Sequence, residues 1–482
     1  MIEGTGTTSG RRACPRVAVV VPYWSFWEGS VGSDLRADRE SICAAVVRHL
    51  NGAVDVVGVE LIDSRESAAR AAASLAGSQV HALLIVQTMA VPPAYLLACL
   101  DALPGLPVVI WALHRHGLVT DTFDHGAITA EGATVGTPML TNPLIRRERP
   151  FELLLGRLDD PACVARAREA VRAAGVAGEL RDSRVGLIGS PLDGYDCVDV
   201  DANELRDAMG IEIIPIEPRE VLERWREVRP NQVRPFEEEV DAVWECTPDI
   251  EEGEALLRSL RAAVVMEAIV RDYRLDAGAI NCHVPEIRFG EEIGITPCYA
   301  LGRLTSMGVP WTCTGDVPTA VAMLTVKWLG GVSVYHELEA VDYETDEFVI
   351  ANSGEHDLGW CAPSERPRLR RNGWFDGIDP RCGVCGCFEA APGPATLVGF
   401  TAHPRAAHGF RFVTARGEIT PRRFPVTGTV NGAFRFTSGR AEDAWVRWVA
   451  AGVSHHSCAT LGDYSAKIKS VAAHLEVEAV DV

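Results

Sequence analysis

The arrangement of short apolar runs constrains the fold of this chain more strongly than any other feature. Runs of strand length occur at residues 17–22, 54–61, 80–86 and 107–113, and helical patterns at 41–50, 64–75 and 92–103 separate them. Such an alternation is typical of a parallel sheet that helices cover on both faces. A second series begins at residue 184 and continues through 211–216, 242–246, 278–282 and 311–314. The pattern therefore predicts two doubly wound α/β domains.

The pattern changes after about residue 333 to short alternating strands with frequent turn residues, at 348–351, 395–401, 409–414, 417–422 and 432–437. Helix 463–474 and strand 475–480 follow. Short strands with regular turn signals are typical of an antiparallel barrel or sandwich. We therefore predict a flexible tail at 1–15, an N-terminal α/β domain at 16–182, a central α/β domain at 183–332 and an antiparallel, barrel-like β-rich domain at 333–482. Residues 142–181 are predicted to form a helical crossover.

Composition favours a soluble, cytoplasmic protein. Hydrophobic residues make up 47% of the 482 residues, and no apolar run is long enough to cross a bilayer. A formal net charge of -20 disfavours binding to nucleic acid. The first residues lack the apolar core of a secretory signal, and most of the 14 cysteines lie singly in apolar segments, which favours reduced thiols. We expect no membrane or nucleic-acid partner.

Two adjacent histidines, His455 and His456, are predicted to lie on a turn between a strand and a helix. Imidazole is the commonest protein ligand for a transition metal. Far upstream, Glu286 and Asp316 follow two predicted strands of the central domain. Oxygen and nitrogen ligands from distant strand ends build many mononuclear Mn²⁺ or Mg²⁺ sites. These four residues are therefore candidate ligands of a divalent cation.

The order of the elements and six local strings resemble the superfamily of L-fucose and L-arabinose isomerases. The strings are RPFELLLGRLDD at 149–160, VGLIGSPLDG at 185–194, GVPWTCTGD at 308–316, LGG at 329–331, PGPATL at 392–397 and GVSHHS at 452–457. Their order along nearly the whole chain is more specific than any single string. The resemblance implies a three-domain subunit that assembles into homotrimers or homohexamers, with Mn²⁺ or another divalent cation as cofactor.

The implied reaction is the interconversion of an aldose and a ketose by proton transfer through a cis-enediol. By this resemblance, Glu286 is the first metal ligand and a catalytic residue, with Glu291 or Glu292 as alternatives. Asp316 is a ligand or an acid/base group, and one of His455 and His456 is the imidazole ligand.

Several positions depart from the pattern of this superfamily. Thr314 replaces a glutamate, which removes a carboxylate base and one negative charge. One histidine of the superfamily falls on Asp342 or a neighbour and another falls near Asn352, whereas His336 lies close enough to replace one of them. Two alternatives therefore stay open: a metal-enolate epimerase or lyase acting on a specialised metabolite, and a catalytically silent sugar-binding or regulatory homologue.

Aromatic residues and histidines at other strand ends are candidate substrate contacts. Trp24 and Trp27 follow the first predicted strand, at the end of the sheet where ligands bind in doubly wound folds. They can stack on a sugar or form a subunit interface. His114, His116 and Tyr195 are further expected contacts of a small, sugar-like substrate.

Four cysteines mark the entry to the last domain: Cys361, Cys382, Cys385 and Cys387. Closely spaced thiolates suit tetrahedral zinc, but no second Cys-x-x-Cys accompanies Cys382 and Cys385, so free thiols are the alternative. The glycines at 186–194 lack the spacing of a dinucleotide-binding loop. We therefore expect no nicotinamide cofactor.

Overall fold

The computed structural model describes residues 14–115, 117–251, 254–352, 354–373, 381–422 and 430–482, which form two compact units. The N-terminal unit contains Cys14–Leu180 and Ser470–Glu476, and the large unit contains Arg181–Lys469 and Val477–Val482. No helix in these ranges is both long and apolar enough to cross a bilayer. The predicted fold class, two parallel α/β sheets followed by a β-rich part, is confirmed.

Strands and helices alternate throughout the N-terminal unit. Its elements are β1 (Arg16–Pro22), α1 (Glu28–Val31), α2 (Leu35–Leu50), β2 (Asp55–Ile62), α3 (Arg65–Ala76), β3 (Ala82–Gln87), α4 (Pro93–Asp101), β4 (Val108–His114), α5 (His125–Ala130), α6 (Ala133–Ile145), β5 (Glu152–Arg157) and α7 (Pro161–Leu180). The five strands form a parallel sheet in the order β2-β1-β3-β4-β5. Successive residues of β1 enter two different cores, Val17 and Val19 on one face and Ala18 and Val20 on the other. Burial on both faces explains the continuous apolar runs of the sequence.

The strand β5 corrects the prediction of a helical crossover at 142–181. Its sequence, ELLLGR, is a short apolar run, and such a run fits a strand or a buried helix equally well by periodicity. The helix α7 supplies the crossover only after residue 160.

The first half of the large unit contains a second parallel sheet. Its elements are β6 (Arg184–Ile188), α8 (Ala202–Met209), β7 (Glu212–Ile216), α9 (Pro218–Glu227), α10 (Pro230–Val243), β8 (Glu245–Cys246), α11 (Pro248–Glu251), α12 (Glu254–Tyr273), β9 (Ala277–Ile280), α13 (Cys298–Ser306), β10 (Trp311–Thr312) and α14 (Val317–Trp328). Four of its strands pair in the order β10-β9-β6-β7. A short turn, residues 313–316, joins the carboxyl end of β10 to α14.

The second half of the large unit is mostly antiparallel. Its elements are β11 (Val334–Asp342), β12 (Glu347–Asn352), β13 (Arg368–Arg371), β14 (Val384–Cys387), β15 (Gly393–Ala402), β16 (Phe410–Thr420), β17 (Val430–Phe436), α15 (Ala441–Ala450), β18 (His456–Leu461), α16 (Ser465–Leu475) and β19 (Glu478–Asp481). Seven strands pair in the order β15-β18-β11-β12-β17-β16-β19. Because β15 also pairs with β16, six of them close into a barrel, and β19 adds to β16 in parallel.

A small third sheet connects the two halves of the large unit. Its order is β14-β13-β8, so a strand of the α/β half pairs with strands of the barrel half. Leu369 of β13 and Val384 of β14 are buried in the same core as Ile280 and Trp311 of the second parallel sheet. Shared burial of this kind stabilises the two halves as one packed body. The candidate site lies within it.

Candidate metal centre

Asp316 occupies the turn between β10 and α14. It is the N-cap of α14, and its Oδ1 accepts a hydrogen bond of 2.9 Å from the backbone N–H of Thr319. Aspartate suits this position because its oxygen satisfies a helix N–H that has no partner within the helix. The side chain of Asp316 is completely buried. The second oxygen, Oδ2, faces the barrel strands.

Two neighbouring barrel strands, β11 and β18, supply the other groups. Glu337 of β11 lies directly opposite His456 of β18 in their antiparallel pairing. Directly opposite residues project from the same face of a sheet. Tyr335 precedes Glu337 by two residues and therefore shares this face. The register of β11 and β18 thus brings a phenol, a carboxylate and an imidazole together.

His456 lies between two carboxylates. Its Nδ1 is 3.0 Å from Oδ2 of Asp316, and its Nε2 is 3.1 Å from Oε1 of Glu337. The hydroxyl of Tyr335 is hydrogen-bonded to the same Nδ1 and is 3.4 Å from Oδ2 of Asp316. With its side chain only 4% exposed, His456 has little contact with solvent. These contacts fix the orientation of the ring.

His455 packs beside His456 but remains accessible. The two ring centroids are 3.7 Å apart, and the side chain of His455 is 38% exposed. Its Nε2 is 3.8 Å from Oε1 of Glu337, and its Nδ1 lies near the Cys197 thiol. Tyr195 contacts the ring edge-on at 5.4 Å. His455 therefore lies on the solvent side of the cluster.

The electrostatics of the cluster favour a charged His456. Burial alone lowers the pKa of this imidazole, but hydrogen bonds with Asp316 and Glu337 raise it to about 9. Burial, followed by the charge of His456, lowers the pKa of His455. For Glu337, burial favours the neutral form, but hydrogen bonds with His456 and Glu339 lower its pKa. Burial and the hydrogen bond with Glu337 raise the pKa of Glu339 to about 8.

One carboxylate and two imidazoles form a donor set that suits a divalent cation. Glu337, His455 and His456 each offer one ligand atom, and these atoms lie within 4.8 Å of one another. Imidazole and carboxylate are ligands for first-row transition cations. When His456 is neutral, a proton on Nδ1 directed at Asp316 leaves the Nε2 lone pair free for a metal. The residues therefore fit the cation that the sequence predicted.

The structure brings some of the predicted ligands together and leaves others apart. Asp316, His455 and His456 all belong to the cluster. Among the described residues, no hydrogen bond or ion pair joins Glu286 to Asp316, Glu337 or either histidine. Its alternative Glu292 instead pairs with Arg226 on the surface, and Glu291 is exposed.

The positions that depart from the superfamily pattern also have defined contacts. The hydroxyl of Thr314 donates to the carbonyl of Cys313. Asp342 pairs with Arg422 at 2.6 Å. His336 is buried, and its Nε2 is 3.3 Å from the hydroxyl of Ser457. Since His336 and Glu337 are adjacent on β11, their side chains point to opposite faces, and His336 points away from the cluster.

The predicted substrate contacts of the N-terminal unit form two local groups. Trp24 and Trp27 pack with Phe26 in an aromatic cluster, in which Trp24 and Phe26 stack with centroids 4.5 Å apart. The Nδ1 of His114 is 3.3 Å from a carboxylate oxygen of Glu131. His116 lies outside the described residues.

None of the four cysteines that suggested zinc forms a disulfide. Within the described ranges, they do not form a group of three ligating atoms within 4.8 Å. Burial raises the pKa of Cys361 and Cys385, which disfavours the thiolate that zinc requires.

Sequence reasoning missed Glu337 and Tyr335 and assigned the wrong surroundings to the histidines. The turn that carries His455 follows α15, and His456 begins β18, whereas a turn between a strand and a helix was predicted. A signal for Glu337 was present: β11 carries the string Tyr-His-Glu-Leu-Glu just after a buried helix. A carboxylate at the start of such a strand needs a partner.

Comparisons with known proteins agree with this architecture. No family model matches the chain. The chain is 21% identical over 380 residues to the sulfoquinovose isomerases of Priestia aryabhattai and Priestia megaterium, covering 77% of this chain and 79% of each relative. It is 23% identical over 355 residues to the L-arabinose isomerase of Mycolicibacterium smegmatis, covering 70% of this chain and 68% of that relative.

These similarities extend over 60–77% of the chain. Together with the order of the elements, they show that the chain is similar to sugar isomerases of the L-fucose and L-arabinose isomerase superfamily, at low identity.

Proposed function

We propose that this protein is a metal-dependent isomerase that interconverts an aldose and a ketose, acting on an open-chain sugar or a sugar-like molecule. The observation that carries the proposal is the His456 imidazole, bracketed by Asp316 and Glu337 beside the accessible His455. Relatives named sulfoquinovose isomerase and L-arabinose isomerase support the same reaction class.

Glu337, His455 and His456 would hold the cation, for which we propose Mn²⁺. Mn²⁺, when bound, supplies Lewis-acid polarisation of adjacent sugar oxygens, which acidifies the C–H next to the carbonyl. Asp316 holds Nδ1 of His456, so that Nε2 faces Glu337 and would be available as a ligand atom. Both oxygens of Asp316 are engaged, one by Thr319 and one by His456 and Tyr335, so we assign it to positioning.

The proton carrier must be a carboxylate that a bound sugar can touch. Glu339 meets this condition, because it is exposed and its carboxyl group is hydrogen-bonded to that of Glu337 at an irregularity of β11. It would accept the proton from one carbon and return it to the neighbouring carbon, so that the sugar gains and loses no atoms. Glu286 is the alternative carrier from the sequence.

The test is exchange of the substrate C–H with solvent deuterium, followed by NMR. Protein loaded with Mn²⁺ is incubated in deuterated buffer with L-arabinose, L-fucose or sulfoquinovose. We expect deuterium at the carbon next to the carbonyl and formation of the ketose with at least one sugar. Glu339→Gln is expected to suppress exchange by roughly 100-fold or more, within the range that a general base contributes. Glu286→Gln separates the two candidate carriers.

The outcomes distinguish the proposal from its rivals. Exchange that yields an epimer or a cleaved product, without a ketose, indicates the metal-enolate epimerase or lyase. Saturable stabilisation by a sugar without exchange indicates a catalytically silent binding homologue. Either result contradicts the proposed isomerase reaction.

A further inference from the structure

The buried carboxyl group of Glu355, beside the cluster, has no role in the proposed proton transfer. Glu355 is only 1% exposed, and its Oε2 has no hydrogen-bond partner among the described residues. An unpartnered carboxyl oxygen in a protein interior is costly, because it loses its hydration without compensation. Burial raises the pKa of Glu355 to about 8. Such a group points to a function that outweighs its cost.

The backbone places Glu355 on the same face as the cluster. The residues after β12 return to β11 through an isolated antiparallel bridge between Val334 and His356. The N–H of Tyr335 donates to the carbonyl of Glu355, so these two residues lie opposite each other. Opposite residues project from one face, and Tyr335 shares that face with Glu337 and His456. Glu355 therefore approaches the cluster from its buried side.

Side-chain contacts continue this connection. The thiol of Cys313 lies close enough to the carboxyl of Glu355 to lower its pKa and is 3.9 Å from the hydroxyl of Tyr335. Tyr335 in turn contacts the Nδ1 of His456. The charges that act on Glu355 include those of His456 and Glu337, and its other near neighbours include the buried thiols Cys282, Cys298 and Cys385. His456 is the cationic group among these neighbours.

The three candidate ligands do not neutralise the charge of a divalent cation, so a further carboxylate can contribute to binding. Glu337 is the single acidic member of the three-residue group, so the group supplies one negative charge against the two positive charges of the cation. Asp316 has both oxygens engaged. Thr314, in the nearby turn, adds no charge.

We infer that Glu355 is a further carboxylate of the cation site, a positioning residue whose charge strengthens cation binding from the buried side. This inference rests on the proposed function, since it requires that the cluster binds a divalent cation. It also explains how the site tolerates an uncharged residue at position 314.

The test is the affinity for Mn²⁺, measured by EPR on the chelator-stripped full chain at pH 8.5. Glu355→Gln keeps the shape of the side chain and removes its charge, and Glu355→Met replaces it with an apolar group that suits the surrounding thiols. Both variants are expected to bind Mn²⁺ roughly 10–100-fold more weakly, as loss of a group behind the ligands does elsewhere. Their melting temperatures without metal are expected to equal or exceed that of the wild type.

Glu347→Gln is the matched control. Glu347 is also a buried carboxylate of the barrel, but it pairs with Arg422 and Arg435. This variant should lose stability and retain Mn²⁺ affinity. Wild-type affinity in Glu355→Gln or in Glu355→Met, whichever folds, overturns the role of Glu355 while the proposed function stands. A wild-type chain that binds no Mn²⁺ overturns both.

Discussion

At the scale of single residues, Asp316 combines a structural and a functional role. One oxygen caps α14, and the other holds His456. A substitution by asparagine can separate the two roles, because asparagine also caps helices well but carries no charge.

Asp316→Asn is therefore expected to keep the fold while changing the imidazole. Stability should fall by no more than about 1 kcal/mol from the altered cap. The pKa of His456, now about 9, should fall because a hydrogen bond to a charged acceptor is lost. NMR titration of the histidine C–H signals measures this shift. Asp201→Asn, at the N-cap of α8, is the control and should leave His456 unchanged.

The raised pKa of His456 also predicts how cation binding depends on pH. Below a pKa of about 9 the imidazole carries a proton that a metal must displace. Mn²⁺ affinity should therefore rise with pH, by up to about tenfold per unit, and level off above pH 9.

In the metal-free protein, stability is expected to fall as pH rises, whereas Mn²⁺ affinity is expected to increase. A histidine whose pKa is raised by folding contributes stability that is complete below its unfolded pKa of about 6.5 and is lost as pH rises towards 9. Unfolding experiments on chelator-stripped protein across this range should show the loss.

A Mn²⁺ affinity that is constant between pH 6 and pH 9 would contradict this account of His456.

At the scale of elements, the site depends on one tight turn and one strand register. The turn between β10 and α14 holds Thr314 and Gly315 at positive φ, 54° and 77°. A Cβ on Gly315 would lie 2.7 Å from the Cα of Pro191 and 2.8 Å from the carbonyl oxygen of Ser190. Both neighbours are backbone atoms, which cannot move aside easily.

Gly315→Ala is expected to destabilise the protein by roughly 1–3 kcal/mol and to displace Asp316. Denaturant unfolding measures the first effect, and Mn²⁺ affinity measures the second. The matched control is Gly194→Ala, since Gly194 has a similar φ of 82° but open space around its Cβ position. Equal losses in the two variants would show that the contact with residues 190 and 191 is unimportant.

The same elements show what the sequence could predict. The parallel sheets were predictable because burial on both faces leaves continuous apolar runs, as in β1 and β3. The cluster was only partly predictable. Asp316 and His456 stand at element ends that a motif reveals, whereas Glu337 reaches His456 through the pairing of β11 with β18. These residues are 119 positions apart in the chain, and no local pattern encodes such a register.

At the scale of the whole molecule, the N-terminal unit presents apolar side chains that a single chain leaves uncovered. Leu153 and Leu155 of the edge strand β5 are 47% and 58% exposed, and Ile128 of α5 and Ile145 of α6 are 57% and 65% exposed. Exposed apolar side chains are candidate interface contacts where they form a continuous patch. The homotrimer or homohexamer that the sequence resemblance implies stays a prediction, and these side chains are its candidate contacts.

Light scattering should therefore report three or six times the 52.1 kDa mass of the chain. Leu155→Lys is expected to shift the population towards smaller species, because it places a charge on the edge strand. Val446→Lys, on an exposed position of α15 in the large unit, is the control. A monomer at micromolar concentration would contradict the expected assembly.

The most direct test of the metal centre is a Mn²⁺ titration followed by EPR on chelator-stripped protein at pH 7.5. The wild type is compared with His456→Ala, Glu337→Gln and the control His403→Ala, which removes a histidine just after β15 and outside the cluster. We predict about one ion per chain in the wild type and in His403→Ala, and at least tenfold weaker binding in the other two variants. A wild type that binds no Mn²⁺, or equal affinity in all four proteins, would contradict the assignment of Glu337 and His456 as ligands.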